Sequence, residues 1–286
     1  MKVLLIGSDG QLGLEFQKIS NSYDSLSWVF STIKTLDLLK LDTINTFLND
    51  INPSVIINCA AYTSVGKAEI ESELADIINH KAVDTISRWT SDNNKKLIHF
   101  STDYVFDGLS NIPLSENSKT NPVNEYGRSK LKGEQVCLKN DANSIVIRTS
   151  WLYSSFGKNF VKTMIDLMKK NKSVKVVNDQ IGVPTSADFI VSHITDLIIN
   201  SRLTEQNCNQ IYHLSPHGCA SWYEFAVNIN NYQNIACDII PTTSHCNIRK
   251  ARRPSNSKLS ADKFISTFGV DIKNWEFYYK ELITNI

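Results

Sequence analysis

The chain has 286 residues, of which 42% are apolar and 21% charged, with a formal net charge of +1. That length supports one large domain or two closely packed ones with an ample core. The balanced charge carries no electrostatic footprint for nucleic acid or a membrane surface, and no apolar run approaches the roughly 20 residues that cross a bilayer. The six cysteines (Cys59, Cys137, Cys208, Cys219, Cys237 and Cys246) are scattered, with no C-x-x-C and no H-E-x-x-H. Disulfide and zinc scaffolds are therefore not expected, and a reducing, cytoplasmic setting fits best. The apolar start at Met1–Ile6 is too short for a leader and is broken by Gly7-Ser8-Asp9-Gly10.

Lys2–Ile6 reads as a strand buried on both faces. Gly7-x-x-Gly10-x-x-Gly13 follows at once and opens a helix carrying Leu12, Phe16 and Ile19 on one side. Strand, glycine turn and helix together make a pyrophosphate cradle: small residues let backbone amides approach, and the helix start adds partial positive charge. Leu26–Phe30 is the second predicted strand. A dinucleotide site preferring NAD places an acid after it, to hold the ribose 2′-hydroxyl. This chain has Ser31-Thr32-Ile33-Lys34 instead. Ser31 and Lys34 suit a 2′-phosphate, which favours NADPH, with NADH as the alternative. Asp37 is expected on the adenine side.

Thr43–Asp50 reads as a short helix. Ser54–Ala61 is an apolar run ending in small residues, with Tyr62 and Thr63 at its rim. Helical periodicity runs from Glu69 to Arg88. Lys96–Phe100 is a strand ending in Ser101-Thr102-Asp103, where hydroxyls at the carboxyl end can meet a substrate. The polar stretch Asn111–Asn124 leads into a helix carrying Tyr126-Gly127-Arg128-Ser129-Lys130.

Residues four apart share one helix face, so Tyr126 and Lys130 are neighbours. A free phenol has a pKa near ~10, too high for proton transfer at neutral pH, and a nearby ammonium pulls it down. A drop of roughly three units corresponds to about 4 kcal/mol. Tyr126 is thus a candidate acid–base group with Lys130 as its electrostatic partner.

Ser144–Arg148 is a further strand, closed by Thr149-Ser150-Trp151. Strand and helix have by then alternated five times, which argues an α/β fold with a doubly wound parallel sheet. Residues 1–150 read as the dinucleotide-binding domain. Residues 151–286 read mainly as a smaller α/β substrate domain, with some segments returning to the main sheet. The second part contains predicted helices at Asn159–Lys170, Ser186–Ile199, Trp222–Ile229 and Trp275–Ile283, strands at Val174–Val177 and Ile211–Leu214, and a loop at Asn178–Thr185. Arg252 and Arg253, in a loop bounded by Pro254, could grip a diphosphate bidentately.

Taken together, the glycine turn, Ser101-Thr102-Asp103 and Tyr126-x-x-x-Lys130 resemble the extended short-chain dehydrogenase/reductases. Gly10-Gln11-Leu12-Gly13, Asn58–Thr63, Ser101–Gly108, Arg148–Tyr153, Asn178–Thr185 and Arg253-Pro254-x-Asn256-Ser257 resemble, more narrowly, the dTDP-4-dehydrorhamnose reductase family. The matches span nearly the whole chain. The resemblance implies a Rossmann-like fold and NADPH-dependent reduction of the 4-keto group of dTDP-4-dehydro-6-deoxy-L-mannose to dTDP-L-rhamnose, in the service of polysaccharide biosynthesis. It implies Tyr126 as proton donor, Lys130 on the nicotinamide ribose, Thr102 tuning the phenol, and Thr102, Asp103, Trp151 and Arg253 against the substrate. Gly7, Gly10, Gln11, Leu12 and Gly13 fall on the pyrophosphate turn, and Ala61, Tyr62 and Thr63 fall at the cofactor's rim.

Some members bind a divalent cation at a dimer interface, and a homodimer is compatible with the resemblance. Glu15 matches one of those acidic positions. Asp188 stands where the family has a glutamate, and no third ligand is evident, so magnesium is not expected. Val65-Gly66-Lys67-Ala68-Glu69 also lacks an Asp that the family often carries. Two other readings stay open: a reductase or epimerase of another nucleotide sugar, and a non-catalytic NADP-binding regulatory subunit.

Overall fold

The computed structural model describes residues 1–140, 143–204, 206–244 and 251–284. Cys246 lies outside them. In the first part, strands β1 (Lys2–Ile6), β2 (Ser27–Ser31), β3 (Val55–Asn58), β4 (Lys96–Thr102) and β5 (Ser144–Thr149) alternate with helices. These helices are α1 (Gln11–Ser20), α2 (Leu41–Ile51), the short α3 (Val65–Ala68) and α4 (Ser72–Asp76), α5 (Ala82–Asp92) and α6 (Glu125–Asn140). The second part contains the short strands β6 (Leu152–Tyr153), β7 (Ser173–Val177), β8 (Ile181–Gly182) and β9 (Thr185–Ser186), then β10 (Gln210–His213), β11 (Ala220–Ser221) and β12 (Asp238–Thr242). Its helices are α7 (Phe160–Lys170), α8 (Ala187–Ile199), α9 (Trp222–Tyr232), α10 (Asp262–Phe268) and α11 (Trp275–Thr284).

The main sheet has six strands in the order β10-β5-β4-β3-β1-β2. All its pairings are parallel. The chain steps outward from β1 to β2, then crosses to the other side of β1 to lay down β3. That reversal opens a crevice at the carboxyl ends of β1 and β3. The sheet is doubly wound because its strands are apolar on both faces. Val3, Leu4 and Leu5 are all fully buried, each contributing roughly 1.5–3 kcal/mol on leaving water. Val3 and Leu5 face a core with Phe16 and with Phe189, Ile190 and Ile194 of α8. Leu4 and Ile6 face the opposite core, with Ile44, Leu48, Val83 and Ile86. Helix α8 and strand β10 thus come from the second part of the chain yet pack on the main sheet. A separate cluster gathers Tyr153, Val161, Met164, Phe225 and Tyr279.

Several elements depart from the sequence reading. The periodic stretch 69–88 is not one helix: it is divided among α4, a π-helical turn at Ile77–Lys81 and α5. The wide turn presents Asn79, whose side chain accepts from the Tyr62 amide at 2.8 Å and donates to the Tyr62 carbonyl at 3.0 Å. The expected loop 178–185 contains β8 and meets β9. Strand β12 carries Pro241, which argues against a strand on sequence grounds, yet it pairs in parallel with β7. Ser186 precedes α8, but its hydroxyl makes no capping bond. Ser221 does cap α9, in a reciprocal pair with Glu224.

Candidate active site

The glycine turn is built by the main chain. Gly7 turns the chain at φ +79°, and a Cβ there would lie 2.6 Å from the Ala60 nitrogen. A Cβ on Gly13 would lie 2.4 Å from the Gly7 carbonyl oxygen. The Gly7 and Ser8 amides both donate to the Ser31 carbonyl at 2.9 Å, which locks the turn to β2. Helix α1 then begins at Gln11 with its free amides facing the crevice. A cavity of about 330 Å³ opens there, lined by Gly7, Gly10, Gln11, Leu12, Gly13 and Asp37. Ile33, Leu36, Leu38, Ala61 and Thr63 also line it. Amides at a helix start beside an apolar slot suit a pyrophosphate and a flat base, so these residues fit a dinucleotide.

A second cavity of about 500 Å³ shares Gln11, Leu12, Ala61 and Thr63 with the first. It brings together Tyr126, Lys130, Thr102, Asp103, Trp151 and Arg253. Tyr126 and Lys130 come from α6, Thr102 and Asp103 from the end of β4, and Trp151 from just beyond β5. The Thr102 hydroxyl is near enough to the Tyr126 phenol to favour its anion. It also donates to Asp103 Oδ1 at 3.1 Å and accepts from the Tyr104 amide at 3.2 Å. The Tyr104 ring meets that of Tyr126 edge-on, with centroids 5.6 Å apart.

The electrostatics differ from the sequence expectation in one respect. The Tyr126 phenol is held above its ordinary pKa, because burial outweighs the Thr102 hydroxyl and nearby Asp103 and Tyr104 oppose the anion. Lys130 does not offset this. Its ammonium donates to the Phe100 carbonyl at 2.6 Å, with His99 Nε2 at 3.5 Å. Burial lowers Lys130 itself to about 8. The resting phenol is therefore a protonated acid. Burial likewise pushes the Asp103 carboxyl up to about 6, opposed by the Ser257 and Thr102 hydroxyls and by Arg253.

Some sequence candidates lie elsewhere. The Ser31 side chain is fully buried, and its hydroxyl is paired with Thr35 at 3.0 Å, so it points into the protein rather than the cleft. Lys34 is exposed and lines neither cavity. The Tyr62 ring turns outward, and its phenol donates to Glu71 at 2.5 Å. Arg252 contributes its carbonyl, which accepts from Asn124 at 2.8 Å, while its side chain is exposed. Glu15 is buried and accepts from the Ser154 and Ser155 hydroxyls. Asp188 has its carboxyl raised by burial and by the Glu15 charge. Among the described residues, no group of three or more His, Cys, Asp or Glu is gathered as metal ligands would be.

The cleft also contains residues the sequence did not single out. Thr149 pairs in register with Thr102, and its buried hydroxyl has no hydrogen-bond partner among the described residues. Trp222 stacks on Trp151 with centroids 3.5 Å apart and planes within 2°. Trp151 sits at φ +45°, turned against Gly182. Thr149 was reachable from its place at a strand's carboxyl end. Trp222 was not, because it starts a helix 71 positions further along the chain than Trp151.

The family model described as RmlD substrate binding domain matches residues 1–286. A dTDP-4-dehydrorhamnose reductase of Salmonella typhimurium is 34% identical, over 100% of this chain and 98% of its own. Among solved structures, a dTDP-4-dehydrorhamnose reductase of Clostridium acetobutylicum superposes with a TM-score of 0.93 at 34% identity, covering 99% of each chain. One of Bacillus anthracis, in complex with NADP, gives 0.92 at 33% identity, covering 100% of this chain and 99% of that one.

Proposed function

The chain belongs to the dTDP-4-dehydrorhamnose reductases, the family of the RmlD substrate binding domain, and from that premise we propose that it reduces dTDP-4-dehydro-6-deoxy-L-mannose to dTDP-L-rhamnose with NADPH. It is an NAD(P)H-dependent oxidoreductase by kinship with reductases over its full length. The observation that carries the finer reading is the meeting of Tyr126, Thr102 and Lys130 in one cavity that shares its lining with the glycine cradle.

A reduced nicotinamide, when bound, supplies the hydride for the C4 carbonyl carbon. Tyr126 gives its proton to the carbonyl oxygen, so the ketone becomes an alcohol with both atoms accounted for. Burial keeps that proton on the phenol at neutral pH until the oxygen turns basic. Thr102 orients the hydroxyl and softens the cost of the phenolate. Lys130, tied to the Phe100 carbonyl, stands one helical turn away on α6. Asp103 and Trp151 form the sugar's wall, and Arg253 is available to the diphosphate. In this reading residues 1–150 hold the cofactor and 151–286 mainly the substrate. The separate cluster around Phe225 and Tyr279 supports that division.

The test is incubation of the purified chain with NADPH and a panel of 4-keto nucleotide sugars, followed by NADPH absorbance and product analysis. Stoichiometric oxidation with the dTDP-linked 4-ketosugar is expected. Binding of NADPH without turnover of any sugar would overturn the reading.

A further inference from the structure

Helix α6 carries a third inward group beyond the two already described. Glu134 lies one turn past Lys130 and two past Tyr126, on the same face. It is 1% exposed, and its partner Arg148, on β5, is 2% exposed. The guanidinium grips the carboxylate with two bonds, Nε to Oε1 at 2.9 Å and Nη2 to Oε2 at 2.7 Å. Oε1 also accepts from the Ser101 hydroxyl of β4 at 2.5 Å. Ser101 and Arg148 are opposite one another across the β4–β5 ladder, and the next rung is Thr102 opposite Thr149. One carboxylate therefore ties the helix to two strands, one residue below the rung that faces the reaction.

Arg148 is fixed from its other sides as well. Its guanidinium lies over the Phe106 ring, 5.1 Å from the centroid. Nη1 is 3.4 Å from His213 Nε2, and the opposite ring nitrogen of His213 faces the Leu114 carbonyl at 3.0 Å. Burial and the Arg148 charge hold His213 down at about 3, so it is neutral. Elsewhere the inner face of α6 includes Gly127 and Gly133, which permit close approach but fix no angle.

A buried ion pair is a poor device for stability, since apolar residues of similar size commonly serve as well or better. What a fork supplies is direction. We propose that Glu134, through Arg148 and Ser101, is a positioning residue that sets the depth and rotation of α6, and with them the placement of the Tyr126 hydroxyl against Thr102. This rests on Tyr126 being the proton donor in the proposed reaction.

The test uses the full chain in two variants, Glu134→Gln and the charge-free pair Glu134→Leu with Arg148→Met. Three quantities are read: the Kd for NADPH, kcat and KM for the ketosugar, and the Cζ resonance of 13C-labelled Tyr126, assigned with Tyr126→Phe. The expected result is a folded pair variant with unchanged NADPH affinity and KM. Its kcat falls by about 100-fold, the cost of an ångström-scale misplacement, and its Tyr126 resonance moves. Full kcat with an unmoved resonance in the pair variant overturns the proposal, and so does failure of that variant to fold, which would make the fork a stability element. If the wild-type chain turns over no ketosugar, the functional reading fails, and the resonance alone then decides the positioning claim.

Discussion

The two ends of the crevice are made of different material. At the tip of β1 the cradle is main chain: amides, a carbonyl from Ser31, and glycines where a Cβ has no room. At the tips of β4 and β5 the site is side chain: a phenol, two threonine hydroxyls, a carboxyl and an ammonium, mostly buried. The first end has no room for added volume at Gly7 and Gly13. The second turns on the polarity of single side-chain atoms.

The sharpest break of this contrast is Tyr126→Phe. Removing one oxygen should cut kcat roughly a thousandfold, within the range for a lost general acid, and leave the NADPH Kd unchanged. Stopped-flow turnover alongside cofactor titration checks both halves. Next is Gly13→Ala. The added methyl collides with the Gly7 carbonyl, so NADPH should bind about 100-fold more weakly, about 3 kcal/mol, while kcat at saturating cofactor stays near wild type. A variant that lost kcat instead would erase the distinction between the two ends.

Asp103 offers a pH-dependent test. Its carboxyl sits at about 6 in the folded chain against an ordinary 3.8. The folded state thus holds the proton longer than the unfolded state. Stability should fall as pH rises through that interval, by on the order of 3 kcal/mol, and stay lower above it. Asp103→Asn should flatten the change, as read from urea midpoints across the same pH range. The smallest effect is expected at Lys34. Its side chain is exposed and outside the cleft, so Lys34→Ala should shift the ratio of kcat/KM with NADPH to that with NADH by no more than about fivefold.

The sequence made these two ends legible to different degrees, for physical reasons. The cradle's glycines are local: strand, turn and helix occupy 19 consecutive residues, Lys2 to Ser20, and at Gly7 and Gly13 the steric need is written in the residue's identity. Tyr126 and Lys130 were legible because one helix sets their spacing. Ser31 misled because residue type says nothing of direction. Ser31 serves through its carbonyl while its hydroxyl turns to Thr35. The lowered phenol pKa failed for a related reason: spacing brought a cation near but gave no measure of how dry the pocket is. The Glu134–Arg148 fork joins a helix to the next strand 14 residues on, and the Trp151–Trp222 stack joins residues 71 positions apart. Only the folded chain brings either pair together.

That stack has an optical consequence. Two indoles lying parallel in van der Waals contact share their excited states, so a small change in separation alters both the strength and the colour of emission. The pair stands in the wall of the larger cavity. A ligand that shifts either ring is therefore expected to change the native fluorescence, against the steady emission of the three other tryptophans.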